Sequence, residues 1–279
     1  MKEIIRILFA IAAVAACFEA KSETKLSDFA VVECHLSVGD TVAVVPEGIV
    51  DLPPYAFADC RGLRRVILPE SLKTIGEYAF LGCEMLQGID LPIGLTDIGE
   101  GAFRECGSLR SLVIPEGVKA VPRYMCAWDS ALTAVALPCG LRDIGSHAFA
   151  YCPELREINI PVGVEHIGSN VFSNCTSLQE IEVPSTVTEL ESYAFSGCES
   201  LRKAVLPAND KLLGEYLFTG CHNLREIVCM SDTPAPFDCD SPMFDPSEDF
   251  MYKKCRLTVP EGKENLYRKA PVWRLFNEQ

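Results

Sequence analysis

The stretch Phe149-Ala-Tyr-Cys152-Pro-Glu-Leu155-Arg-Glu-Ile158-Asn-Ile160-Pro161, running on through Val164, Ile167 and Gly168 to Cys175, decides the fold because it recurs. Eight consecutive segments carry its pattern at a period of 23 residues with no insertion or deletion, and their prolines fall at Pro46, Pro69, Pro92, Pro115, Pro138, Pro161, Pro184 and Pro207. A fixed period of this length is the signature of a solenoid, one supersecondary unit stacked on copies of itself. Leu155 belongs to a column that runs from Leu63 to Leu224. Ile158 and Ile160 alternate with polar residues, the i, i+2 pattern of a short strand with one buried face. Proline cannot donate to a sheet ladder, so Pro161 ends that strand and turns the chain.

A second apolar pair, such as Leu95 and Ile98, leads to a glycine that recurs at positions 76, 99, 145, 168 and 214 and suits a backbone bend with positive φ. Ala-Phe follows, as in Ala79-Phe80 and Ala148-Phe149, in a run too short for a long helix, which predicts one helical or 3₁₀ turn returning to the next strand. Ordering each residue costs about 1–2 kcal/mol of backbone entropy. One repeat has too few apolar side chains to offset that, so neighbours on both sides must bury each other's faces. The expected fold is an α/β-type repeat solenoid, a right-handed coil with one short parallel β-strand per 23-residue repeat, short helical or 3₁₀ turns opposite, and caps at both ends.

The 279 residues are 48% hydrophobic and 23% charged, enough for one continuous core. Residues 1–16 read as an export signal: Lys2 and Arg6 flank a charged start, and the apolar run Ile7 to Ala16 is too short to span a bilayer. Val14-Ala15-Ala16-Cys17 looks like a bacterial lipobox, making Cys17 the lipidated first residue of a membrane-anchored chain. Ordinary cleavage near Ala13-Val14-Ala15, with Cys17 an incidental thiol, is the alternative. Residues 17–41 are then tether and N-terminal cap, 42–229 the solenoid, and 230–279 a Pro- and Asp-rich loop and cap. In the cap, Leu266, Tyr267, Trp273 and Phe276 cover the raw apolar end. The net charge of −14 repels phosphate backbones, so nucleic acid is not an expected partner.

Fourteen cysteines in an exported chain ordinarily form a disulfide framework. Here Cys60, Cys83, Cys106, Cys152, Cys175, Cys198 and Cys221 occupy one column and point the same way, which predicts buried free thiols. A bridge between Cys239 and Cys255 across the C-terminal loop is conceivable. No CxxC pair exists and stacked thiols do not make a tetrahedron, so no metal site is expected.

The segment from Phe149 to Pro161 and its companions resembles the BspA-like, or treponemal-type, leucine-rich repeat family of bacterial surface proteins. The closing Cys255-Arg-Leu-Thr-Val-Pro-Glu-Gly with Tyr267, Ala270, Trp273 and Phe276 is similar to a segment such proteins carry. The resemblance covers about residues 42 to 276. It implies a leucine-rich-repeat-like coil and a non-enzymatic surface or secreted protein. Some members adhere to host matrix proteins, but the family offers no binding motif to carry over by residue.

The residues offer little chemistry. His35, His147, His166 and His222 fall in different columns and read as surface charge pairs, His166 lying between Asp143 and Glu189 by the period. No nucleophile elbow, phosphate-binding loop or HExxH occurs, so no catalysis and no cofactor are expected. Three surfaces remain for binding. Outward strand positions run from Arg64, Arg65 and Ile67 to Glu157, Asn159, Glu180, Glu182 and Glu226, a charge gradient that fits a protein partner or merely a solvated sheet face. A column of Tyr55, Tyr78, Tyr124, His147, Tyr193 and Tyr216 makes an aromatic stripe that anchors a partner or simply covers the phenylalanines. The fourth repeat breaks the pattern with Pro122, Met125, Cys126 and Asp129 beside Trp128. A charged aspartate cannot sit in an apolar column, so this turn is expected to shift outward and offer Tyr124, Trp128 and Asp129 to a ligand, unless the repeat is tolerated drift. The sequence thus points to a monomeric extracytoplasmic protein, lipid-anchored at the outer membrane or cell surface, or else secreted or periplasmic. It recognises an extracellular or envelope protein or a glycan, with an accessory role in a polysaccharide-handling envelope complex as the alternative.

Overall fold

The computed structural model describes residues 41–208, 213–235, 242–248 and 250–277. The export signal, Cys17, Cys34 and Cys239 lie outside them. The period becomes a coil in which each turn pairs in parallel with the next. Val42–Val44 pairs with Arg65–Ile67 and that with Gly88–Ile89, and Ser111–Val113 pairs with Ala134–Ala136. Glu180–Glu182, Lys203–Leu206, Glu226–Cys229 and Arg256–Thr258 close the series. The register advances by 23 residues per turn until the last step, Glu226 to Arg256, which passes over the C-terminal loop. Alternation does what the pattern requires: Val66 and Leu112 are buried between exposed neighbours.

The fifth repeat keeps this alternation, with Ile158 and Ile160 buried and Glu157 and Asn159 exposed, yet forms no strand there. Its bond to the following coil is a long one, Gln179 N–H to the Arg156 carbonyl at 3.4 Å. A second ladder, too short to be read from the sequence, runs beside the first. It comprises Asp51–Leu52, Thr74–Ile75 and Asp97–Ile98, then Ala120–Val121, Asp143–Ile144, His166–Ile167 and Glu189–Leu190.

The return from this ladder is a string of overlapping β-turns, not a regular helix. In one coil the Ala79 amide donates to the Gly76 carbonyl and the Cys83 amide to the Phe80 carbonyl. Each turn has a left-handed third residue, Tyr78 (φ 53°) and Gly82 (φ 67°). Two columns of left-handed residues result, one through Tyr55, Tyr78, Tyr124, His147 and Tyr216 and one through Asp59, Glu105, Trp128, Tyr151 and Asn174. Such backbone strains a side-chain-bearing residue. Inter-coil hydrogen bonds offset it: the amides of Tyr55, Phe57 and Asp59 donate to the carbonyls of Glu77, Ala79 and Leu81 on the next coil.

The recurrent glycine before these turns has a different cause from the one expected. Gly99 and Gly168 do not take positive φ. Instead their Cα atoms press on the preceding coil, where a Cβ would overlap the backbone nitrogens of Glu77 and Ser146.

Phenylalanines stack along the interior, Phe57, Phe80 and Phe103 at 5.3 Å and Phe149, Phe172, Phe195 and Phe218 at 5.7 Å. Beside them the thiols form a hydrogen-bonded column, each donating to a carbonyl 26 residues back: Cys83 to Phe57, Cys106 to Phe80, Cys152 to Cys126, Cys175 to Phe149, Cys198 to Phe172 and Cys221 to Phe195, all at 3.0–3.2 Å. These six are free. Cys60, at the end of the column, departs from the expectation: it is disulfide-bonded, and its partner lies outside the described residues. Cys255 is buried with a free thiol pushed up to about 12 by desolvation, so it does not bridge to Cys239. At the C-terminal end Phe244 follows Phe218 in the stack, and Tyr252 meets both Phe244 and Phe276 edge-on at 5.0 Å. Trp273 packs edge-on against Tyr267 and donates through Nε1 to the Ala235 carbonyl. Leu266 faces solvent instead of joining them.

Candidate functional site

The fourth repeat stays in register. The Asp129 amide donates to the Cys126 carbonyl and the Leu132 amide to the Asp129 carbonyl, as Cys106 and Leu109 do one coil earlier. Asp129 is wholly buried in the thiol column, which corrects the expectation that this turn swings outward. Burial pushes its carboxyl well above the usual carboxylate range, more strongly than the Cys106 amide and the Cys126 thiol pull it down. The carboxyl accepts the Cys106 N–H at 2.7 Å through Oδ1, while Oδ2 has no partner. Asp129 therefore supports the turn and does not reach a ligand.

What the break does offer is aromatic surface. Met125 takes alanine's place and Cys126 phenylalanine's, exchanging volume between two buried positions, and Trp128 enters the second left-handed column. Tyr151 lies one period later, so the two rings stack at 5.1 Å and 5°. Tyr124 stacks on His147 at 4.7 Å and lies 6.4 Å from Trp128. Four rings from two coils thus make a platform in which Trp128 (37%) and Tyr151 (44%) remain exposed. From the preceding coil Arg104 lays its guanidinium 4.5 Å from the Trp128 ring and 5.7 Å from Tyr124. Glu105 holds that arginine through a 3.1 Å contact to Nε. Arg123 stands 5.7 Å from the Tyr124 ring. The His147 pKa is lowered, first by burial and then by Arg123, and its Nδ1 is buried without a partner.

The sequence named Tyr124 and Trp128 for this site. Tyr151 was findable by adding one period to Trp128. Arg104 was not, because it sits in a different column. Elsewhere in the tyrosine column the rings pair, Tyr55 with Tyr78 and Tyr193 with Tyr216, and Tyr78 donates its hydroxyl to Glu100 at 2.7 Å.

The acidic candidates are not brought to the platform. Glu157, Asn159, Glu180 and Glu182 line the strand face, where Glu180 and Glu182 stand opposite Lys203 and Val205 of the next coil. Toward the N-terminus that face hollows at Gly88 into an open cleft of about 730 Å³ bordered by Arg65, Gln87, Ile93 and Val113. It has no aromatic anchor.

The sequence profile of the BspA type leucine rich repeat region matches residues 41–156 and 142–234, in six copies. Among solved structures the chain is similar to a leucine rich cell surface protein from Faecalibacterium prausnitzii A2-165, 22% identical over 81% of each chain with a TM-score of 0.50. It is also similar to a leucine-rich repeat protein from Bacteroides ovatus ATCC 8483, 26% identical over 80% of this chain and 63% of that one, TM-score 0.53. The Leucine Rich Repeat protein of T. pallidum is 32% identical over 66% of this chain and 78% of its own, TM-score 0.48. No curated protein matches.

Proposed function

The chain belongs to the BspA-type leucine-rich repeat family, and from that premise we propose that it is a non-enzymatic recognition protein which engages a protein partner through the Tyr124, Trp128, His147 and Tyr151 platform. The observation that carries this reading is how the ring faces are used. A sugar stacks on a free aromatic face, but Trp128 has Tyr151 on the following side and Arg104 on the preceding one. Trp128 and Tyr151 stay partly exposed beside Arg104, and tryptophan, tyrosine and arginine are the residue types that dominate protein–protein contact energies. Rigid backbone holds them, since the amides of Trp128 and Tyr151 are bonded to Ala150 and Ser173 on the next coils.

The chain acts outside the cytoplasm, as a monomer tethered by a lipid on Cys17. Supporting this are the lipobox-like Val14-Ala15-Ala16-Cys17 and a similar F. prausnitzii protein described as a cell surface protein. Its partner is a host or envelope protein, not nucleic acid, given the net charge of −14.

A photo-crosslinking residue at Tyr151 or, separately, at Glu180 tests the assignment. Discrete protein adducts are expected from position 151 and not from 180, and Trp128→Ala should weaken the same interaction by about 2 kcal/mol or more. Adducts confined to position 180 would move the site to the strand face. Trp128-dependent capture of an oligosaccharide on a glycan array would replace the protein partner with a sugar.

A further inference from the structure

One imidazole on the second ladder is surrounded by carboxylates. Parallel register sets Asp143 opposite His166 and His166 opposite Glu189 on three successive coils. Glu191 follows two residues after Glu189, past the buried Leu190, and returns to the same face. His166 Nε2 lies 2.9 Å from Glu191 Oε1, and Nδ1 lies 3.9 Å from Asp143 Oδ1. The Ser169 amide donates to the other Glu191 oxygen at 2.8 Å, fixing that carboxylate. One ligand atom each from His166, Glu189 and Glu191 falls within 4.8 Å of the other two.

We propose that His166, Glu189 and Glu191 form a divalent-cation site suited to Zn²⁺. Four features converge on it. Zinc bonds to nitrogen and oxygen are about 2.0–2.2 Å long, so ligand atoms in a tetrahedral shell stand roughly 3.3 Å apart. The His166–Glu191 pair is already near that spacing, and Glu189, exposed beside it, has to close from within 4.8 Å. Three carboxylates around a single imidazole carry more negative charge than one ring proton offsets, whereas a dication relieves it. The nearby cation does not: Arg142 pairs with Glu165 at 2.8 Å. A hollow of about 370 Å³ walled by Ser169, Glu189, Glu191 and Ser192 adjoins the cluster and leaves a fourth position open to water. Asp143 lies 3.9 Å from Nδ1, too far for a direct hydrogen bond but within reach through one water, on the side where carboxylates support metal-bound histidines. The period alone set Asp143 and Glu189 beside His166, but Glu191, 25 residues on and off the column, was not reached by it.

Calorimetric titration of the metal-free full chain with Zn²⁺, and with Co²⁺ as a spectroscopic probe, tests the site. The expected result is one ion per chain, with cobalt absorption of nitrogen and oxygen ligation and no thiolate band. Asp143→Asn should weaken binding by about 10–100-fold, His166→Ala and Glu191→Gln by more, and His222→Ala should change nothing. Absence of saturable one-to-one binding, a thiolate–cobalt band, or affinity retained in Glu191→Gln would overturn the proposal. Circular dichroism checks each variant's fold. If His166→Ala fails to fold, the Glu191→Gln and Asp143→Asn titrations decide the question, since both side chains lie at the surface.

Discussion

Asp129 occupies a cysteine's place in the coil, and the coil dictates its protonation. The folded chain keeps on this buried carboxyl a proton that an unfolded chain releases above about pH 4. Folding therefore takes up a proton, so the stability is fully present below that pH and is lost as pH rises through the raised folded value. Asp129→Cys removes the penalty and supplies a thiol aimed, like its neighbours, at the carbonyl 26 residues back, here Phe103. Thermal unfolding of the two proteins from pH 4 to pH 8 should place the variant ahead by about 1–3 kcal/mol at pH 4, the cost of an unsatisfied buried polar group, and by more toward pH 8 as proton release from the unfolded aspartate adds to it. The gap should narrow toward pH 4, and a gap independent of pH would mean that Asp129 is charged in the fold. Arithmetic on the 23-residue period is enough to put Asp129 in the thiol column. The outward shift expected of it rests on a full charge, which burial disfavours by raising the carboxyl's pKa, and a sequence does not display that shift.

Between residue and coil, the recurrent glycine separates two explanations that look alike in sequence. Gly168 is required by the coil beneath it, where a Cβ would collide with the Ser146 backbone, whereas a Cβ on Gly88 of the strand ladder meets nothing within 4 Å. Gly168→Ala should lower the denaturation midpoint by the equivalent of about 1–3 kcal/mol, the usual cost of forcing atoms into packed backbone. Gly88→Ala should raise it by about 0.4–1 kcal/mol through the unfolded chain's lost entropy. Equal effects in urea titrations would show that the two coils can part to admit a methyl group. Columns such as Leu63 to Leu224 were legible because every repeat votes for the same place. The second ladder was not, because a two-residue strand such as Thr74–Ile75 is shorter than one cycle of alternation. Nor were the two left-handed columns, since tyrosine and tryptophan seldom adopt that backbone and nothing in their identity announces it.

Across the whole molecule, contacts run almost wholly between neighbouring coils, so damage at one end should stay there. The C-terminal lid depends on Trp273, buried against Tyr267 and bonded to Ala235, with Phe244 and Tyr252 continuing the phenylalanine stack. Trp273→Ala removes about 3–5 kcal/mol of packing from that lid. In a compact globule such a loss lowers the stability of every residue together. In a solenoid, stability is a sum of repeat and nearest-neighbour terms, and the last coils can open while the first remain shut. Hydrogen exchange read by mass spectrometry should therefore show faster exchange from Leu201 to Cys229 in the variant, with the amides of Leu63 to Leu86 unchanged. Uniform loss of protection would show that the coils unfold as one unit, and that stacking alone couples the Trp273 end to the Cys60 end. The platform at Trp128 stands midway, several coils from either cap, where local opening reaches last. The recognition surface proposed there must hold four rings in register, and a Trp273→Ala protein should accordingly keep its position-151 adducts while its end frays.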